Sequence, residues 1–378
     1  MEPLSSIPNG PLKRILVTRT DRLGDLVLST PVFQALREKF PEAHIACLTF
    51  LENRGVVEGN PSLNEVILYD KKGKEKSWLG NLRFARALAR KRFDLAIHLH
   101  STHRMHLVSW LAGVPLRVGY RKKSGWALTH TIEDRKGEGL KHEAEYNFDL
   151  LKFFGIGLPE KISTYFPLRE RDQISLSLLL KNLGVDKGRP YVVLNPSASC
   201  PSKIWPADRF ARLADQIQTQ HGFQIVLIGS KADRRFSLKV KEGAASPVMD
   251  LSGKLSLGHL GWFLKGARLL ISNDSGPVHV AAAVGTPVIS IFGRNLAGLS
   301  PCRWGPLGKK ACVIHKEVGC PVCLAHNCQI NFLCLDVISV EDVLREVRLI
   351  LQNNVGARFI APSVIESKGA MNGAPTDS

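Results

Sequence analysis

Short apolar, β-branched runs separated by stretches of helical periodicity recur along the chain, and this alternation narrows the fold more than any other feature. The runs "KRILVTR", "HIACLTF", "NEVILYD" and "FDLAIHLH" form one group, and "YVVLNPS", "FQIVLIGS", "ARLLISN" and "PVISIFG" a second. Strand-like runs alternating with helices imply parallel sheets, because parallel strands need a long return connection that a helix fills. From Leu158 to Pro190 the strand rhythm lapses. The 378 residues therefore read as two α/β domains of similar size, 1–165 and 191–355, with a linker region over 166–190 and a small, polar, mobile tail over 356–378.

Individual helices can be placed. "PADRFARLADQIQTQHG" sets Phe210, Leu213, Ala214 and Ile217 on one face, with Pro206 at the first turn and Gly222 past the end. In the first group, Thr30 and Pro31 read as cap and first residue of "TPVFQALREKFP", with a start as early as Asp25 as the other reading.

A formal net charge of +17 asks for a polyanionic partner or an anionic surface. Nucleic acid is set aside, since the basic residues are spread along the chain with no arginine-rich arm, zinc-finger spacing or aromatic RNA-binding signature. An acidic glycolipid or the membrane face remains. The sequence has neither a run of about eighteen apolar residues nor a leader pattern, so the expected location is cytoplasmic, with the charge favouring the cytoplasmic face of the inner membrane. Of eight cysteines, Cys47, Cys200, Cys302 and Cys312 are scattered and read as free thiols. Cys320, Cys323, Cys328 and Cys334 crowd into "CPVCLAHNCQINFLC", which reads as a zinc or redox site or, more plainly, as a compact metal-free loop.

Four loops carry chemistry-bearing side chains just after strands. In "LLISNDSGPVHVAAAVG" a strand ends near Asn273, Asp274 and Ser275 occupy the turn, and Pro277 opens a short helix closed by Gly285. Free N–H groups at such a helix start, with the positive dipole end, form an anion site; Gly276 permits close approach and His279 adds a donor. The plainer reading makes Asp274 or Ser275 a cap. In "TRTDRLGDLVLSTP" a strand ends near Arg19, and Asp21, Arg22, Gly24 and Asp25 follow at the carboxyl edge of the sheet, where open α/β sheets bind ligands. Gly24 implies that something passes close to the backbone, while Asp25 alone reads as a cap. "NPSASCPSKIWP" offers Ser197, Ser199, Ser202 and Lys203, whose ammonium suits a phosphate as a point charge. "VLIGSKADRR" puts Gly229 after a strand and Asp233 where a ribose hydroxyl is gripped. No GxxxxGK[ST], GxGxxG or Asp-x-Asp pattern occurs, so no P-loop, dinucleotide fingerprint or metal–diphosphate clamp is supported. Amide dipoles, Lys203 and His279 would then meet diphosphate charge without a metal.

These motifs, in this order, resemble glycosyltransferase family 9, the bacterial lipopolysaccharide heptosyltransferases. "ILVTRTDRLGDLVLSTPVFQALREKFP" looks like its N-terminal signature, "NPSASCPSKIWPADRFARLA" its lysine motif and "ISNDSGPVHVAAAVGTPVISIFG" its nucleotide motif; "HLHSTHRMHLVSWLAGVPLRVGYR" is also similar, and the likeness runs from about Leu12 to Val347. The resemblance implies a GT-B fold, two Rossmann-like domains with the acceptor on 1–165 and the nucleotide sugar on 191–355. It implies inverting, metal-independent transfer of heptose from ADP-heptose, or a related nucleotide sugar, to the acidic inner core of lipopolysaccharide, with no cofactor. By position Asp25 matches the catalytic base and Lys203 the lysine facing the diphosphate. Asp233, loosely aligned, falls near the ribose, and Asp274, Ser275, Gly276, Pro277 and His279 match the diphosphate-binding helix start, with Ser197 and Gly229 beside them.

On that reading Asp25 takes the acceptor's proton as the hydroxyl attacks the anomeric carbon opposite the leaving ADP. An ordinary aspartate is a weak base at neutral pH, so proton transfer comes late or burial raises the carboxyl. Gly24, Arg104, Arg117 and Arg121, with Lys122 and Lys123, are the expected acceptor contacts, the basic groups meeting carboxylates or phosphates. The competing readings are another donor or surface glycan, or a sugar-nucleotide binder without catalysis. A Rossmann oxidoreductase is disfavoured by the missing glycine fingerprint.

Overall fold

The computed structural model describes residues 12–185, 188–320, 322–352 and 358–359. The first sheet is built from β1 (Arg14–Thr18), β2 (His44–Phe50), β3 (Glu65–Tyr69), β4 (Leu95–His98), β5 (Leu116–Arg121) and β6 (His130–Glu133), in the order β3-β2-β1-β4-β5-β6. The second contains β7 (Tyr191–Asn195), β8 (Gln224–Leu227), β9 (Met249–Asp250), β10 (Leu269–Asn273), β11 (Val288–Ile291), β12 (Ala311–Ile314) and β13 (Arg358–Phe359), in the order β13-β12-β11-β10-β7-β8-β9. Every pairing is parallel. Val17 lies between Cys47 and Ile97, and Ile271 between Leu194 and Ile289. Consecutive residues such as Ile15, Leu16 and Val17 are all fully buried, because helices cover both faces of a parallel sheet. That is why these strands read as unbroken apolar runs.

Both sheets reverse their strand order once, between β1 and β4 and between β7 and β10. A crevice opens outside the carboxyl ends of the strands at such a switch point, because the connections leave to opposite sides there. The loops after β1, β7 and β10 are those of the sequence motifs, so topology gathers them.

The two halves meet through apolar side chains. A single cluster of buried side chains runs from Ile15 and Val17 through Phe148, Phe166 and Leu176 to Phe263 and Val193. The expected linker region is largely a helix, Glu170–Asn182, packed on the helix Leu257–Gly266. The Trp262 indole donates to Arg169 O at 2.8 Å, and no Cβ fits at Gly261, where Phe166 Cε1 would lie 2.3 Å away. The helix Ala207–His221 buries Phe210, Leu213, Ala214 and Ile217 and ends at Gly222 in the left-handed region, as its spacing implies. The strands not anticipated, β5, β6, β9, β12 and β13, lie at or next to sheet edges, where a short or half-exposed run has no need of continuous apolar residues. The expected polar tail lies outside the described residues except for Arg358–Phe359, which pair with Cys312 and Val313.

Candidate active site

A cleft of about 710 Å³ runs between the two sheets' switch points. On its first wall, β1 delivers Arg19, whose side chain is 2% exposed. Its guanidinium donates to Asp21 Oδ1 at 2.9 Å, Asp25 Oδ1 at 3.0 Å, Glu143 Oε1 at 3.0 Å and Asn147 Oδ1 at 3.1 Å. A buried guanidinium needs this degree of satisfaction, since its desolvation is otherwise uncompensated. Asp25 sits inside the short helix Leu23–Val27 and caps nothing, and Thr30 is likewise not a cap but bonds to Val27 O and Tyr165 N. The Asp25 carboxylate, 13% exposed, is held by Arg19 at the cleft surface.

On the second wall, the fully buried Trp205 anchors the loop after β7. Its backbone N–H donates to Asn273 Oδ1 at 3.1 Å and its indole to Ile338 O at 2.9 Å, which fixes Lys203 two residues before it. Lys203 Nζ meets Asp274 Oδ2 at 2.8 Å, and the same oxygen accepts from Arg294 Nη2 at 3.0 Å. One carboxylate thus holds two buried cations and leaves net positive charge on this wall. Arg294 Nε has no partner among the described residues. Ser275 precedes the helix Gly276–Ala283 without capping it; its Oγ accepts from Asn195 Nδ2 at 2.7 Å, so the helix start is left open to the cleft. Burial lowers His279 to about 3, which makes it a neutral imidazole at physiological pH.

The walls touch below the cleft. A Cβ on Gly24 would lie 2.5 Å from His279 Cδ2, and one on Gly276 2.8 Å from Leu23 Cδ2. The opposite domain's helix makes the close approach that Gly24 implies. Further ties are Arg22 Nη1 to Ser199 Oγ at 3.3 Å, His142 Nε2 to Gly305 O at 2.8 Å, and Arg303 Nη2 to Glu143 Oε2 at 2.7 Å. Glu143, 1% exposed, joins Arg19 and Lys136 of one half to Arg303 of the other, and these cations hold its carboxyl far below the usual range against the opposing effect of burial.

Of the residues singled out in the sequence, Asp25, Gly24, Lys203, Asp274, Ser275, Gly276 and His279 line one cleft, with Lys122 and Lys123 at its first wall. Others do not. Asp233 accepts from Ser230 N and Oγ within its own turn, Ser197 Oγ donates to Asn195, and Gly229 backs onto Asp233. Pro277 follows Gly276 in the helix but is not on the cleft wall. Arg117 donates to Ala127 O and Val114 O, Arg121 to Thr131 Oγ1, and Arg104 faces Tyr69, so none of the three reaches the cleft. Sequence reasoning missed Arg294, Arg303, Glu143 and the clamp role of Arg19. Arg294 alone carried a local signal, directly after the β11 run.

Among the described residues no group of three or more His, Cys, Asp or Glu side chains, the clustered cysteines included, is arranged to hold a metal ion. Cys334 Sγ donates to Gly293 O at 2.6 Å, Cys323 and Cys328 accept backbone N–H groups, and burial raises the Cys334 thiol to about 11, far from a reactive thiolate.

Asp21 shows the electrostatic cost of the first wall. Burial, aided by Asp25 and opposed by Arg19, pushes it up to about 7. The folded chain then keeps a proton that an unfolded aspartate, with pKa about 3.9, has released, so stability falls as pH rises from about 4 to 7. His100, whose Nδ1 lies 3.7 Å from Asp21 Oδ2, is itself lowered to about 4 and stays neutral through most of that window. Asp21→Asn is expected to flatten this part of the stability–pH curve, read by thermal unfolding between pH 4 and 8. An unchanged slope would show that Asp21 is ionised throughout.

Two Rossmann-like sheets whose switch points face each other across a cleft, one wall with a carboxylate and the other with cations and a helix start, are the GT-B architecture of a glycosyltransferase. Residues 81–333 match the family model for glycosyltransferase family 9 (heptosyltransferase). Lipopolysaccharide heptosyltransferase 3 of Escherichia coli (strain K12) is 30% identical over 72% of this chain and 80% of its own length. Lipopolysaccharide heptosyltransferase 2 of the same strain is 26% identical over 81% of this chain and 89% of its own. The crystal structure of a family 9 glycosyl transferase from Veillonella parvula DSM 2008 superposes with a TM-score of 0.79 at 26% identity, covering 90% of this chain and 97% of that one. The chain belongs to glycosyltransferase family 9 and is a glycosyltransferase.

Proposed function

We propose that the protein transfers heptose from ADP-heptose to the acidic inner core of lipopolysaccharide by a single inverting displacement that needs no metal. The observation that carries this reading is the division of one cleft into an Asp25 wall and a Lys203–Arg294 wall. The diphosphate sits on the second wall, against Lys203, Arg294 and the start of the helix Gly276–Ala283. Those positive groups stabilise the charge that develops as ADP leaves. Asp274, a carboxylate, does not touch the diphosphate; it holds the two cations in place. The acceptor enters along the first wall, with Lys122 and Lys123 meeting its anionic groups. Asp25 accepts the proton of its attacking hydroxyl from the face opposite ADP. His279, neutral and buried, serves as a hydrogen-bond donor rather than a charge. The acceptor core is part of a membrane glycolipid, which places the protein at the cytoplasmic face of the inner membrane.

The test is ADP release by purified protein given ADP-heptose and a heptose-deficient lipopolysaccharide core, with a chelator present. Release that requires both substrates and survives the chelator is the expected result. Nucleotide binding without release would overturn it in favour of another donor or acceptor, or of a binder without catalysis.

A further inference from the structure

The helices Trp78–Ala89 and His103–Leu111 pack side by side on one face of the first sheet, burying Ala85, Leu88, Met105 and Val108 against Leu16 and Leu48. Their outer side is not an ordinary solvated surface. Trp78 is 74% exposed, Trp110 46% and Trp126 69%, with Leu79 and Leu111 exposed beside them. The rings of Trp110 and Trp126 meet edge to face at 5.5 Å. The chain's other three tryptophans, Trp205, Trp262 and Trp304, are buried or half-buried, so every exposed tryptophan lies on this one layer. Exposed indoles gathered on one layer, two of them in contact, mark an interaction site.

Charge on the same layer is equally uneven. Residues 71–92 carry nine lysines and arginines against one glutamate, about half of the whole chain's excess. On the first helix Leu79, Arg83, Arg86 and Arg90 recur at helical spacing along the exposed side, with Lys72, Lys74 and Lys76 exposed in the loop before it. We infer that this layer docks on an anionic lipid bilayer, with Trp78, Trp110 and Trp126 at the headgroup level and the basic stripe against acidic headgroups. An indole is amphipathic and favours that boundary, and a basic stripe beside an apolar one is the pattern of a helix lying in the membrane surface. A second copy of the chain is a poor occupant, because it would bring two such basic stripes together. Nucleic acid would use the charge and the rings but leaves Leu79 and Leu111 without an apolar partner.

Position adds a reason. The loop that ends in Trp126 contains Lys122 and Lys123, which line the cleft. Docking by this layer brings the acceptor side of the cleft to the bilayer surface, a consequence that rests on the glycolipid acceptor proposed above.

The test is sedimentation with phosphatidylcholine vesicles, with and without phosphatidylglycerol, comparing wild type with Trp78→Ser/Trp126→Ser and with Arg83→Glu/Arg86→Glu. All four positions are exposed, so the folded state is preserved. Wild type is expected to bind only the anionic vesicles and to be released by salt, and each double variant to bind at least tenfold more weakly. Transfer to a soluble, deacylated core should be unchanged in both. Equal binding by wild type and variants, binding to neutral vesicles alone, or a dimer that dissociates in the tryptophan variant would overturn the inference. So would single-stranded nucleic acid that displaces the protein from the vesicles through the same residues. Vesicle binding by this face without any heptose transfer would leave the docking surface standing and remove the functional reading. Transfer to deacylated core without vesicle binding would do the reverse.

Discussion

Asp25→Asn is expected to lower kcat for sugar transfer by about 10²–10⁴-fold while leaving the affinity for the donor nucleotide near wild type. The split follows from where the groups lie. Asp25 is held on the first wall by Arg19 at 3.0 Å, whereas Lys203 and Arg294, the cations proposed to face the diphosphate, stand on the second. Asparagine keeps the shape and still accepts from Arg19, which also retains Asp21 and Glu143, so the variant should remain folded. Loss of the Asp25 charge also removes one of the influences that raise Asp21, and the Asp21 titration should move down with it. Steady-state ADP release and nucleotide titration on the same preparation check the prediction. A folded variant with unchanged kcat would take Asp25 out of the mechanism.

Glu143→Gln is expected to cost about 3–5 kcal/mol of stability, the scale seen when one partner of a buried ionic cluster is removed. Its carboxylate is 1% exposed and meets Lys136 at 2.8 Å, Arg19 at 3.0 Å and Arg303 at 2.7 Å. The glutamine leaves those cations with too little compensating charge in a low-dielectric site. The pH dependence has a definite sign. A carboxyl held far below its usual range contributes stability that is present above the unfolded pKa, near 4.3, and is lost only as pH falls below it. Wild type and variant should therefore differ most at neutral pH and converge in acid. Arg303 belongs to the second half of the chain, so the same substitution loosens the cleft and should reduce transfer beyond what stability explains. Urea unfolding at pH 7 and at about pH 2 measures the stability difference and its convergence, and steady-state ADP release by the folded variant measures the loss of transfer; a loss under about 1 kcal/mol at pH 7 would show that the cluster tolerates a neutral centre.

The pattern of these residues shows what was legible beforehand. Lys203, Asp274, Ser275, Gly276 and Asp25 are legible because each lies on the segment that directly follows a strand, and in a parallel sheet the carboxyl ends of the strands share one edge. Asp233 and Ser197 also lie on segments that follow strands, yet local hydrogen bonds claim both. Arg104, Arg117 and Arg121 stand out in the sequence by charge, a property that says nothing of direction. Their side chains turn to Tyr69, to backbone carbonyls and to Thr131.

What the sequence determined on its own is local: strand runs, helix periodicity, the turn at Asp274 and the absence of glycine fingerprints. From these the two-domain α/β order follows, because a strand's burial and a helix's spacing are written in neighbouring residues. The tertiary structure decided which side chains meet. Arg19 finds Glu143 across 124 positions and Glu143 finds Arg303 across 160, while the opposite domain's helix leaves no room for a Cβ at Gly24 or Gly276. Contacts at such separation depend on how the two domains pack as wholes, and no short stretch of sequence carries that information.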